Sequence, residues 1–130
     1  MKIKKTEKKI DISKKSVMLT LMNKAILIDP FDNTVKEVSV GDFRDIQSKI
    51  GCSVFTCVRF PDGNIAYVDD EGLINGTTRG VRFVKKCCSQ PFLAGRVLIL
   101  GESPDGDSAD CTWSRNQAWD KVAHFISFYY

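Results

Sequence analysis

The sequence predicts an α+β fold: a mainly antiparallel sheet of about five or six strands, with a short helix over 42–50 and a C-terminal helix over 114–128 packed on it. Three observations predict it. Short apolar or alternating runs are separated by turn clusters too brief for crossover helices, which favours antiparallel hairpins. The segment from Asp42 to Gly51 carries both a start and a stop signal for a helix. After Ser114 the apolar residues recur at helical spacing, and such a stripe needs a sheet to cover it.

Residues 25–28 are continuously apolar and end at Asp29-Pro30-Phe31-Asp32-Asn33, whose Asp, Pro and Asn mark a hairpin connection. Residues 34–40 alternate, as a half-buried strand does. Asp42 is suited to cap a helix, Phe43, Ile46 and Ile50 share one helical face, and Gly51 stands where a left-handed residue would end it. Residues 53–60 and 65–69 flank Pro61-Asp62-Gly63-Asn64, a tight hairpin turn. Residues 73–80 read as a loop, 81–84 as a short strand, Gln90-Pro91 as a break, 96–100 as a strand and 101–110 as an acidic loop. Ser114 and Gln117 match a capping box, and Trp119, Val122, Ala123, Ile126 and Tyr130 supply the stripe.

The 130 residues suffice for one domain with a hydrophobic core. No apolar run reaches the roughly 20 residues of a membrane span, and residues 1–15 lack the apolar centre of a secretory leader. The five cysteines are odd in number and irregular in spacing, which argues against a disulfide framework and for a reducing cytoplasm. The net charge of +3 is unevenly placed. Seven lysines crowd residues 1–15, a basic flexible arm, while residues 16–130 are slightly acidic and form the single domain. Residues 17–21 are apolar enough for a first strand or an extended lead-in.

Candidate chemistry is sparse. His124 is the one histidine and has no motif partner, so no catalytic residue is assigned. Cys87-Cys88 and Cys52-x4-Cys57 lack the spacing of a zinc site, and Asp105-Gly-Asp107-Ser-Ala-Asp110 lacks the closing Glu of a calcium loop. Without a Gly-rich phosphate loop, no cofactor is expected. The densest polar cluster is Tyr67, Asp69, Asp70 and Glu71, followed by Asn75, Arg79 and Arg82. Its carboxylates would accept hydrogen bonds or hold a cation, and its arginines would meet an anion with their planar fork of donors. A solvated turn competes with that reading.

Several segments together resemble a known family: Lys24-Ala-Ile-Leu-Ile-Asp-Pro30, Val35-Lys-Glu-Val38, Ile50-Gly-Cys52, Val58-Arg-Phe-Pro-Asp-Gly63, Tyr67-Val-Asp-Asp-Glu-Gly-Leu73 and Leu93-Ala-Gly95. They are similar to small uncharacterised domains found largely in bacteriophages and bacterial mobile elements. The likeness covers residues 24–101 and is most specific at Tyr67–Leu73. It implies a setting in the host cytoplasm and no mechanism. The expectation is a non-enzymatic binding protein that counteracts host defence by sequestering a small anionic, nucleotide-type ligand or by blocking a host protein. A metal-dependent enzyme using Asp69, Asp70 and Glu71 is one alternative. A nucleic-acid accessory protein acting through the Lys-rich arm is another, and Phe128-Tyr129-Tyr130 would suit a homodimer.

Overall fold

The computed structural model describes residues 22–71, 77–84 and 92–127 of the chain. The basic arm, residues 17–21, Asn75, Cys87-Cys88 and Phe128-Tyr129-Tyr130 lie outside the described residues. β1 (Asn23–Asp29) and β2 (Thr34–Val40) form a hairpin paired from Asn23↔Val40 to Asp29↔Thr34. α1 (Phe43–Ile50) follows, its first turn capped by the Asp42 carboxylate, which accepts the Asp45 N–H at 3.1 Å. Gly51 ends it at φ 80°, a left-handed conformation that costs glycine little. β3 (Phe55–Arg59) and β4 (Ile65–Asp69) make the second hairpin. β5 (Arg79–Phe83), β6 (Phe92–Ala94), β7 (Val97–Glu102), β8 (Ser108–Ala109), α2 (Arg115–Lys121) and β9 (Val122–Ser127) complete the described elements.

Two antiparallel sheets result. The central one runs β2-β1-β7-β4-β3, with β8 folding back onto β7, and the smaller one runs β6-β5-β9. Alternate residues of β1, β4 and β7 point to opposite faces, and both faces are apolar because both are covered. On one face Ala25, Ile65, Tyr67, Leu98 and Leu100 meet Ile46 and Ile50 of α1. On the other, Ile26, Val68, Val97 and Ile99 meet Val81, Phe83 and Leu93 of the small sheet, with Trp113 and Ala118 at the α2 side. Each such aliphatic side chain contributes about 2 kcal/mol on burial. No helix among the described residues is long and apolar enough to cross a membrane.

The α+β architecture and antiparallel pairing match the sequence expectation, but the strands, expected as one sheet of about five or six, form two sheets, with residues 79–83 in the smaller one. The C-terminal helix is a correction. It does not run over 114–128: the capping box of Ser114 and Gln117 starts α2, but the helix stops at Lys121 and residues 122–127 are strand. Val-Ala-His-Phe-Ile is apolar almost throughout, so helical and strand periods fit it equally. Tertiary pairing decides, with Gly80↔Ile126, Val81↔Phe125 and Arg82↔His124 joining β9 to β5 across a bulge at Arg82/Phe83. Two further strands sit where none was expected, β6 just after Pro91 and β8 inside the acidic loop.

The 61–64 turn is fixed by side chains from far along the chain. Asn64, fully buried, donates from Nδ2 to the Thr112 hydroxyl at 2.7 Å, and its Oδ1 accepts the Thr112 N–H at 3.1 Å. The Trp113 indole N–H donates to Asp62 at 2.6 Å, and the Lys121 ammonium stands 5.1 Å from the Trp113 ring. Burial pushes the Asp62 carboxyl up, but hydrogen bonds from Trp113 and Asn64 and the Lys121 charge outweigh it and hold the pKa below its ordinary value. Gly101 belongs to the same end: a Cβ there would lie 2.3 Å from the Asp110 carbonyl oxygen. Along the sheet's β2 edge, Arg115 Nε donates to the Val35 carbonyl at 2.8 Å.

Candidate functional site

Strand register gathers the site. Leu27 pairs with Leu98, which pairs with Tyr67, so the C-terminal ends of β1 and β4 lie at one end of the sheet with the start of β7 between them. Two residues further along the ladder this places Arg96 between Asp29 and Asp69. The Asp29 carboxylate, nearly buried, accepts from Arg96 Nε at 3.1 Å and from the Phe31 N–H at 2.9 Å. The Arg96 guanidinium stacks 4.9 Å from the Phe31 ring centroid, and its Nη1 would be 3.2 Å from a Cβ at Gly51. One arginine thus ties the β1–β2 turn to the end of α1.

A second arginine clamps the other side of that turn. Asn33 closes the turn at φ 57°, a left-handed value that asparagine tolerates better than most side chains. Its Oδ1 accepts from Arg79 Nη2 at 2.8 Å. The Arg79 carbonyl accepts the Gly95 N–H at 2.8 Å, while the Arg79 Nε–H is buried with no acceptor among the described residues. An unmet guanidinium N–H costs free energy until an acceptor reaches the group or the side chain shifts.

Beside Asn33 opens a cleft of about 450 Å³, lined by Asn33, Trp119, Val122, Ala123, His124 and Phe125. The α2–β9 junction builds its far wall. Trp119 is 47% exposed, and its ring lies 6.1 Å from that of Phe125 at 50°. The arrangement offers an aromatic face for stacking, the polar ends of Asn33 and His124, and the Arg79 guanidinium behind Asn33.

The residues expected from sequence are divided. Asp69, Asp70, Glu71 and Arg79 do come to one end of the molecule. The carboxylate of Asp69 accepts the Glu71 N–H at 2.9 Å and the Asp70 N–H donates to the Val54 carbonyl, so both shape the turn. Arg79 engages Asn33. Tyr67 is buried on the α1 face, edge-on to Phe55 at 5.4 Å. Arg82 sits over Phe92 at 5.8 Å and pairs in register with His124, three strand positions from Arg79. Among the described residues no three His, Cys, Asp or Glu side chains form a group able to hold a metal ion. Burial pushes up all three described thiols, Cys52, Cys57 and Cys111, with the Asp69 charge adding to it at Cys52. Each is therefore a neutral, weakly nucleophilic thiol near pH 7. Sequence reasoning missed Asp29, Asn33, Arg96 and Trp119. The first two carried a signal, being turn residues, but their partners lie 67 and 46 positions away.

Comparison with known proteins supplies a family. The model of the "Domain of unknown function (DUF3846)" matches residues 22–123, and the chain belongs to that family. The resemblance read over residues 24–101 is borne out and extends through α2 into β9. The chain is also 33% identical over 88 residues to the "Uncharacterized protein y4iR" of Sinorhizobium fredii, covering 65% of this chain and 53% of that protein. It spans about half the length of that curated relative. No solved structure matches the chain.

Proposed function

We propose that this member of the DUF3846 family is a non-enzymatic binding protein that holds a small anionic, nucleotide-type ligand in the cleft between Asn33 and Trp119. The observation that carries the reading is the cleft of about 450 Å³ lined by the exposed Trp119, Phe125 and Asn33, with Arg79 bonded to Asn33 behind it. A planar base stacks on the Trp119 face. The anionic group draws on Arg79 behind Asn33, an arginine whose fork of donors fits phosphate oxygens and whose buried Nε–H has no acceptor among the described residues. The non-enzymatic reading is supported by thiols held protonated and by the Asp69 carboxylate being engaged in a turn hydrogen bond. We place such a protein in a bacteriophage or other mobile element, where sequestering a ligand of host defence needs affinity and abundance without turnover.

Tryptophan fluorescence tests it, because Trp113 is only 3% exposed and a quench reports Trp119. Titration with adenosine 5′-monophosphate, cyclic dinucleotides and NAD should give a saturable quench with at least one of them. Arg79→Met should weaken that binding about tenfold, the worth of one charge-assisted hydrogen bond. Ligand recovered by chromatography should be chemically intact. Catalytic conversion would overturn the non-enzymatic reading. A flat titration across the panel, or unchanged affinity in Arg79→Met, would overturn the site.

A further inference from the structure

The cleft leaves the acidic turn Asp69-Asp70-Glu71 unused, and that turn adjoins the open edge of the central sheet. We infer that β3 pairs with β3 of a second copy about a two-fold axis through Cys57, and that the acidic turn of each copy receives Arg59 of the other. The backbone directions set the edge. Asp70 N–H donates to the Val54 carbonyl and Phe60 N–H to the Asn64 carbonyl, so the even-numbered residues of this strand bond to β4. The N–H and C=O groups of Phe55, Cys57 and Arg59 therefore point away from the sheet. Among the described residues no strand takes them up. The opposite edge differs, since Arg115 caps the outward carbonyl of Val35 on β2.

Register follows from using all five residues. An antiparallel pair centred on Cys57 sets Cys57 against Cys57, Phe55 against Arg59 and Thr56 against Val58. Any shift by two positions loses a hydrogen-bonded pair. In this register no like charges face each other. Arg59 lies opposite Phe55 of the second copy, a cation-over-ring contact. The other neighbour of Phe55 is Asp69, so Arg59 and the second copy's Asp69 stand two strand spacings apart, about 10 Å between Cα atoms. The Arg59 side chain is mostly exposed and paired with Glu102 of its own chain, from which it can extend toward that turn. Val54, half exposed, falls beside Phe60 of the second copy. A five-residue edge is smaller than a standard interface of roughly 1,600 Å², so the dimer is weak and salt-sensitive.

Cross-linking reads the register. In a background with Cys52→Ser, Cys87→Ser and Cys88→Ser, a short bis-maleimide at high micromolar protein should join two chains through Cys57. Moving the thiol with Cys57→Ser and Arg59→Cys separates the two sulfurs by about four residues, roughly 13 Å along the strand, and should lose most of the product. Sedimentation should show a monomer–dimer equilibrium for the natural chain, shifted toward monomer by molar salt and abolished by Cys57→Lys, which sets two ammoniums across the axis. A natural chain that stays monomeric at high micromolar concentration overturns the inference. So does cross-linking through position 59 as efficient as through 57.

Discussion

The two ends of the central sheet are built from similar materials and finished differently. At the 61–64 end, Asn64, Thr112, Asp62 and Trp113 satisfy one another in a partly buried network, and Gly101 lets a neighbouring carbonyl close in. At the other end, Arg96 and Arg79 clamp the 30–33 turn from either side, yet the buried Arg79 Nε–H has no acceptor among the described residues, and a cleft opens beside Asn33. The first end is complete as it stands. The second is held in shape but has bonding capacity left over.

Substitutions should therefore divide between stability and binding. The largest effect is expected from Gly101→Ala, where a backbone oxygen must move from the path of the new Cβ; urea unfolding should show a loss of about 3 kcal/mol. Asn64→Ala removes the buried amide that bonds both the Thr112 N–H and hydroxyl and should cost about 2 kcal/mol in the same assay, with ligand affinity retained. A smaller effect is expected from Asp62→Asn, and it depends on pH. Because the folded Asp62 pKa lies below its ordinary value of 3.8, the charged form stabilises the fold above that pH, and the gain fades as pH falls through the folded pKa. The stability gap between the natural chain and Asp62→Asn should be steady at pH 6 and close toward pH 3. Arg79→Met, at the opposite end, should move stability by no more than about 0.5 kcal/mol, since the arginine has a buried donor unmet by the described residues. If Arg79→Met unfolds the protein, or Asn64→Ala abolishes binding while the chain stays folded, the contrast between the two ends fails.

Local chemistry was legible in the sequence and long-range pairing was not. The Asp42 cap, the Gly51 stop and the turn before Ile65 each announce themselves within four residues, and all three stand in the structure. Residues 122–127 carry no polar face to choose a period, so only the presence of β5 makes them strand. The site was half visible for the same reason. Asp69, Asp70, Glu71 and Arg79 were found as a cluster along the chain, whereas the Asp29–Arg96 and Asn33–Arg79 contacts exist only once strands have paired. Trp119 resembled core because helical spacing counts apolar residues and cannot say which of them remains uncovered.

The guanidinium of Arg115 on the Val35 carbonyl bears on stoichiometry. A sheet with two adhesive edges can add copies at both and grow without limit, which is the geometry of a fibre. A strand laid along β2 must displace Arg115 from the Val35 carbonyl, whereas β3 offers its outward groups free among the described residues, so pairing through β3 is favoured over pairing through β2. Growth is biased to end at two. Removing that cap, for instance by Arg115→Ala, would weaken the bias toward a pair over a chain that can elongate.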